Sequence, residues 1–250
     1  MLRDVLAAVR GQTVRFFRTK LLRMQNRAPI VTFTFDGVPD SAYINGASIL
    51  DELGVSGTFY IAAGTCGAEA AHWKVISPDH VRMLHERNHE IGCLTFSYAD
   101  LNKLNAAEAE EECRKNHNML RRICGDIQLA NFAYPHGRVT LRRKLQLQKR
   151  FDSCRSFVHG INVGTVDLGL LKVVELFNRS LTPERLQALL RETCDRNGWL
   201  IFYTHDVSVR PSQVGCSPGL LRSTIETVQA MGLTCATIRD ALRMIGYPAA

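Results

Sequence analysis

Between residues 30 and 238 the chain alternates short runs of β-branched and aromatic residues with segments whose apolar positions repeat at helical spacing. That alternation restricts the fold more than any other feature. Neighbouring parallel strands need a crossover of a dozen or more residues, and a helix is the usual one. Residues 30–35 read as a strand that ends at Asp36. Ile44, Ala47, Leu50 and Leu53 then share one helical face before Gly54, and residues 57–62 return as a strand. Ser77 and Pro78 open a second helix that runs to Asn88, and a strand over 90–93 follows. Asn105 with Glu108 three residues on has the pattern of a capping box, and it opens a long helix stopped by Gly125.

Residues 129–132 and 151–154 read as two further strands, and Thr182, Pro183 and Glu184 open another helix that closes at Asn197 and Gly198. Residues 199–204 are apolar or aromatic on both faces, as in a buried parallel strand. A helix over 220–231 and a strand over 233–238 complete the series. At least seven strands without a Pro-, Gly- or Ser-rich linker predict one α/β domain over residues 28–250, a distorted (β/α) barrel of about seven parallel strands.

Charge adds one further element. The chain has 31 Lys and Arg against 24 Asp and Glu, a formal +7. Residues 1–27 hold Arg3, Arg10, Arg15, Arg18, Lys20, Arg23 and Arg27 against Asp4 alone, so this stretch carries +6 and the rest only +1. A nearly neutral body argues against nucleic acid as the partner. Leu2, Val5, Leu6 and Val9, then Phe16, Phe17, Leu21, Leu22 and Met24, approach helical spacing. They predict a basic amphipathic helix over 1–27 that covers its apolar stripe by packing on the domain or on a second subunit in a homodimer or surface contact, with peripheral membrane binding as the alternative. No stretch reaches the roughly 18 apolar residues needed to span a bilayer, and the charged N-terminus is a poor secretory signal, so a cytoplasmic location is expected. Eight cysteines without a CxxC pair are expected as free thiols.

The strand ends carry the chemistry. Thr34, Phe35 and Asp36 are followed by Gly37, Val38, Pro39 and Asp40. After His89, Glu90, Ile91 and Gly92 come Cys93, Leu94, Thr95, Phe96, Ser97 and Tyr98. Phe132, Ala133, Tyr134, Pro135, His136 and Gly137 follow the next strand, and Phe202, Tyr203, Thr204, His205 and Asp206 the apolar one. In this order and context, the four stretches resemble the motifs of the polysaccharide deacetylase family, the NodB homology domain, over roughly residues 30–240.

The resemblance implies that Asp36 is the catalytic base and His205 the catalytic acid. It also implies that the family's metal ligands should stand at 37, 94 and 98, where this chain has Gly37, Leu94 and Tyr98. Glycine and leucine offer no donor atom, and a neutral phenol is a poor ligand. The histidine pair of the family would span one helical turn at 94 and 98. Ala133 stands where many members carry an arginine that orients the base. No cofactor is therefore expected. Tyr98, Tyr134, His136 and Asp40 are the expected substrate-binding residues, and the partner a carbohydrate or small molecule.

Two functions follow from that pattern. One is metal-free hydrolysis of an N-acyl bond in a sugar or small molecule by Asp36 and His205. The other is a binding protein without catalysis on a degenerate deacetylase fold.

Overall fold

The computed structural model describes residues 14–248. Seven parallel strands form its centre: β2 (Ile30–Asp36), β3 (Thr58–Ile61), β4 (Glu90–Cys93), β5 (Asn131–Ala133), β6 (Ser153–His159), β8 (Leu171–Glu175) and β9 (Trp199–Thr204). They pair in that order, and β9 pairs back onto β2 from Ile30 opposite Trp199 to Phe35 opposite Thr204, so the sheet closes into a barrel. Outside it lie α1 (Ser48–Glu52), α2 (Pro78–Glu86), α3 (Ala106–Cys124), α4 (Leu141–Leu147), α5 (Pro183–Asp195) and α6 (Pro218–Ala230). Asn105 and Glu108 make the reciprocal capping box expected at the start of α3.

The two-residue period of each strand sorts its side chains between two cores. Val31, Phe33 and Phe35 of β2 join Phe59, Phe132 and Phe202 in the larger core between barrel and helices. Ile30, Tyr60, Leu94, Ala133, Trp199, Ile201 and Tyr203 form the inner core. Thr32 and Asp36 belong to the inner set as well, because Trp199 Nε1 donates to Thr32 Oγ1 at 2.9 Å and Asp36 is ion-paired to Arg155 of β6. The floor is closed by α7 (Ile238–Met244), whose Ile238, Ala241 and Leu242 pack into the inner core. Above them Glu90 accepts from Thr58 Oγ1 at 2.9 Å, from the Asn131 amide and from the Arg239 N–H at 2.8 Å. Burial still raises the Glu90 carboxyl pKa against these bonds.

Gly92 makes room for Tyr60. A Cβ at Gly92 would lie 2.4 Å from the Tyr60 ring, which is fully buried. Gly92→Ala should therefore force that ring off its rotamer and lower stability by about 2–3 kcal/mol, read from the urea midpoint at unchanged slope. A loss below about 0.5 kcal/mol would mean that the ring has space to move.

Three expectations change. Residues 233–238 yield only β10 (Thr234–Cys235), which pairs with Ile30 and Val31 at the foot of β2, because Ile238 starts α7 behind a Thr237 cap. The seventh stave is instead β8, a mostly buried strand interrupted by exposed Lys172. Residues 14–26 do not continue a helix. Val14–Phe16 is one 3-10 turn, and β1 (Leu21–Arg23) pairs antiparallel with β7 (Thr165–Asp167). The Asp167 carboxylate accepts from the Thr19 and Lys20 N–H groups, each at 3.2 Å, so strand pairing with a distant segment overrides the helical spacing. The rest of the expected helix, residues 1–13, lies outside the described residues. Among the described residues no helix is long and apolar enough to cross a membrane.

Candidate active site at the barrel mouth

Asp36 is the last residue of β2 and follows Thr32 and Thr34 on the inward face. Its carboxylate reaches across the barrel to the Arg155 guanidinium in a direct ion pair, with Asp36 2% exposed and Arg155 fully buried. The guanidinium lies 4.8 Å from the ring centre of Tyr60 and 5.6 Å from that of Tyr203. Burial works to lower the Arg155 pKa, but the Asp36 charge and the neighbouring phenols carry it above the ordinary arginine value. Arg155 is directly opposite Ala133 in the parallel register of β5 and β6. A guanidinium thus stands one strand away from residue 133, the position where the resemblance implies an arginine in many members.

His205 follows β9 and is almost entirely buried. Burial lowers its pKa; Asp36 opposes that shift and Arg155 adds to it. The His205 ring centre is 6.1 Å from Trp73, 6.4 Å from Tyr203 and 6.5 Å from Phe177. Asp206 is turned away to hold the following loop, accepting from the Ser212 N–H at 2.8 Å and the Ser212 hydroxyl at 2.5 Å. An open cleft of about 710 Å³ adjoins His205, bordered by His72, Trp73, Asp206 and Arg210.

Tyr98 packs on the inner core beside Leu94 and meets the exposed His136 ring edge-on at 4.6 Å. Burial and the Asp36 charge push its phenol up to about 12. The mouth loops are also where backbone strain collects: Val38, Thr95, Tyr98 and His136 all have positive φ, as does Gly37 at 61°. Because Thr95 and Tyr98 are left-handed, residues 94–98 form a loop and not the single helical turn expected from the spacing.

Four of the expected site residues therefore converge: Asp36, His205, Tyr98 and His136. Two do not. Tyr134 is fully buried in the outer core and its hydroxyl donates to the Gly169 carbonyl at 3.1 Å, so it is a packing residue out of reach of a substrate. Asp40 lies 2.8 Å from Nδ1 of His80 on α2, which in turn stacks on Tyr43. Arg155 was missed from sequence, although Ser153 and Arg155 occupy the inward positions of a strand and a charged residue there demands a partner.

The side chains at 37, 94 and 98 do not fit a divalent metal. Gly37 has no side chain, Leu94 is buried among apolar groups, and the Tyr98 phenol is harder to ionise than a free one. Among the described residues no group of three or more His, Cys, Asp or Glu is placed to hold an ion.

The family model that matches this sequence is polysaccharide deacetylase, over residues 23–152. No curated protein sequence matches. Similar solved structures include a family 4 carbohydrate esterase from Bacillus anthracis, 16% identical, covering 98% of this chain and 93% of that one at a TM-score of 0.61. A family 4 acetyl xylan esterase from Clostridium thermocellum, solved with a cobalt ion, is 20% identical over 88% of this chain and 93% of that one, at 0.60. Bacillus subtilis PdaA, also a family 4 carbohydrate esterase, is 14% identical over 93% of this chain and 88% of that one, at 0.61. These three likenesses carry the fold, and the family model spans more than half of the sequence. The chain belongs to the polysaccharide deacetylase family, with the metal-ligand positions of the family motifs filled by glycine, leucine and tyrosine.

Proposed function

We propose that the protein hydrolyses an N-acyl bond of a sugar or small molecule without a metal, using Asp36 as base and His205 as acid. The observation that carries this reading is the register of the neighbouring parallel strands β2 and β9, in which Phe35 pairs with Thr204, so that Asp36 and His205 follow side by side at the same end of the barrel. Water attacks the acyl carbon while Asp36 takes its proton. The carbonyl becomes an oxyanion, and the Tyr98 hydroxyl, protonated because its pKa is about 12, is a donor for it. The C–N bond then breaks as His205 gives its proton to the departing nitrogen, leaving a carboxylic acid and an amine. Arg155 acts through Asp36, holding the carboxylate in place.

The direction of the His205 shift fixes the pH dependence. As an acid it must carry its proton, and burial moves its pKa below 6.5, so kcat/KM should fall as pH rises through that lowered value. Incubation with acetylated and formylated sugars, sugar nucleotides and cyclic ureides, followed by mass spectrometry across pH 4–8, tests both points. Turnover that declines with rising pH through a midpoint below 6.5 and drops about 10³-fold in Asp36→Asn is expected. Turnover indifferent to Asp36→Asn would sink the assignment.

The second reading, a binding protein without catalysis, draws on the low exposure of Asp36 and its capture by Arg155. It expects ligand binding with no product from any compound of the panel.

A further inference from the structure

We propose that the rim of the barrel between the ends of β6 and β8 is a subsite for an oxyanion substituent of the ligand, a carboxylate or a phosphate. The inference rests on the reading that the mouth receives a ligand; it does not require that the ligand be hydrolysed.

β6 ends at His159 and β8 at Glu175, on the same barrel end as Asp36. Beyond them is a depression of about 460 Å³ lined by His159, Glu175, Phe177, Arg179, Ser180 and Arg185. Phe177 joins it to the catalytic group: its ring meets Tyr203 edge-on at 5.1 Å and lies 6.5 Å from His205. A ligand with its reacting bond at His205 thus has a neighbouring substituent within reach of this hollow.

The charges there are not balanced. Two arginines face a single carboxylate, and Glu175 is 3.6 Å from Arg185 and 3.6 Å from His159 through the same oxygen, too far for a hydrogen bond to either. Arg179 lies over the Phe177 ring at 5.6 Å and forms no ion pair among the described residues. Stacking on Phe177 restrains the guanidinium while its N–H fork stays available, the arrangement that suits bidentate recognition of a carboxylate or phosphate. A second observation is independent of charge. The Ser180 hydroxyl is buried in the same lining without a hydrogen-bond partner, although most buried hydroxyls have one. Arg185 is already fixed through a 2.8 Å bond from Nη1 to the Ser180 carbonyl, so cation and hydroxyl are held as one unit.

The test is a titration of the intact protein with inorganic phosphate and with glucuronate, using glucose as the neutral control, at low ionic strength by calorimetry and by NMR shifts. At least one anion should bind at least tenfold more tightly than glucose, and which one names the source of the oxyanion. Arg179→Gln, at an exposed position and checked for an unchanged urea midpoint, should weaken that anion about tenfold, and Arg179→Lys by less, since the charge stays and the fork is lost. If both anions bind no better than glucose, or if Arg179→Gln leaves their affinity unchanged, the subsite is wrong. The titration needs no turnover, so it is decided separately from hydrolysis. Anion binding lost in Arg179→Gln, with no product from any N-acyl compound, keeps the subsite and removes the hydrolase. Equal kcat/KM for neutral and acidic N-acyl sugars removes the subsite and keeps the hydrolase.

Discussion

Arg155→Met is expected to lower the unfolding free energy by about 3–5 kcal/mol, because it leaves the Asp36 carboxylate buried without its counter-charge. Methionine preserves much of the volume between Tyr60 and Tyr203, so lost packing is a minor part of the effect. Most of the loss is the stranded charge, and a second substitution can show this. Asp36→Asn combined with Arg155→Met should recover most of the stability, since replacing both members of a buried pair is often nearly neutral. Urea denaturation of the four proteins gives the cycle. A cost of Arg155→Met below about 1 kcal/mol would mean that Asp36 reaches water or another partner. A second readout separates electrostatics from packing. Arg155 holds the His205 pKa down, so removing its charge should raise the midpoint of the imidazole in an NMR titration, whereas Asp36→Asn should lower it.

The parts of this fold legible in the sequence are those governed by local period. The residue 30–36 strand, the capped helix after Asn105 and the doubly buried 199–204 strand were all expected from alternation, capping or apolar runs, and each is present. What escaped was set by distant partners. Leu21 and Leu22 fit a helix until Asp167 and Val166 pair with them, and Thr234 and Cys235 form two residues of strand because Thr237 caps a helix immediately after. The site divides in the same way. Gly37, Leu94 and Tyr98 were readable because a missing donor atom is a property of the residue type. Arg155 was not, because its role depends on standing beside Ala133 on the neighbouring strand and facing Asp36 across the barrel. Tyr134 and Asp40 were misplaced for the same reason: motif position gave the residue, and only the fold gave the direction of its side chain.

The largest single change expected from mutation is the recovery of metal binding. The parent protein, dialysed without chelator, should carry no stoichiometric zinc, cobalt, nickel or iron at the mouth, since Gly37 and Leu94 contribute no donor and Tyr98 keeps its proton up to about pH 12. Gly37→Asp, Leu94→His and Tyr98→His together should hold about one equivalent, with a dissociation constant near micromolar or tighter. The backbone is favourable at each position. A Cβ at residue 37 meets nothing within 4 Å, and at φ 61° aspartate is among the residues that tolerate a left-handed backbone. Leu94 belongs to the inner core against which Tyr98 packs, so the two imidazoles would start on the same side of the mouth. The opposing terms are the desolvation of a histidine at the buried residue 94 and repulsion of the ion by Arg155. No single substitution supplies more than one donor, so each should leave the protein metal-free while the triple variant gains both metal and a melting temperature that rises with zinc concentration. A full equivalent in the parent, lost on changing Asp36 or His205, would overturn the account of the mouth; a triple variant that stays empty after loading would show that the loop from Leu94 to Tyr98, with its two left-handed residues, no longer presents ligands to one point.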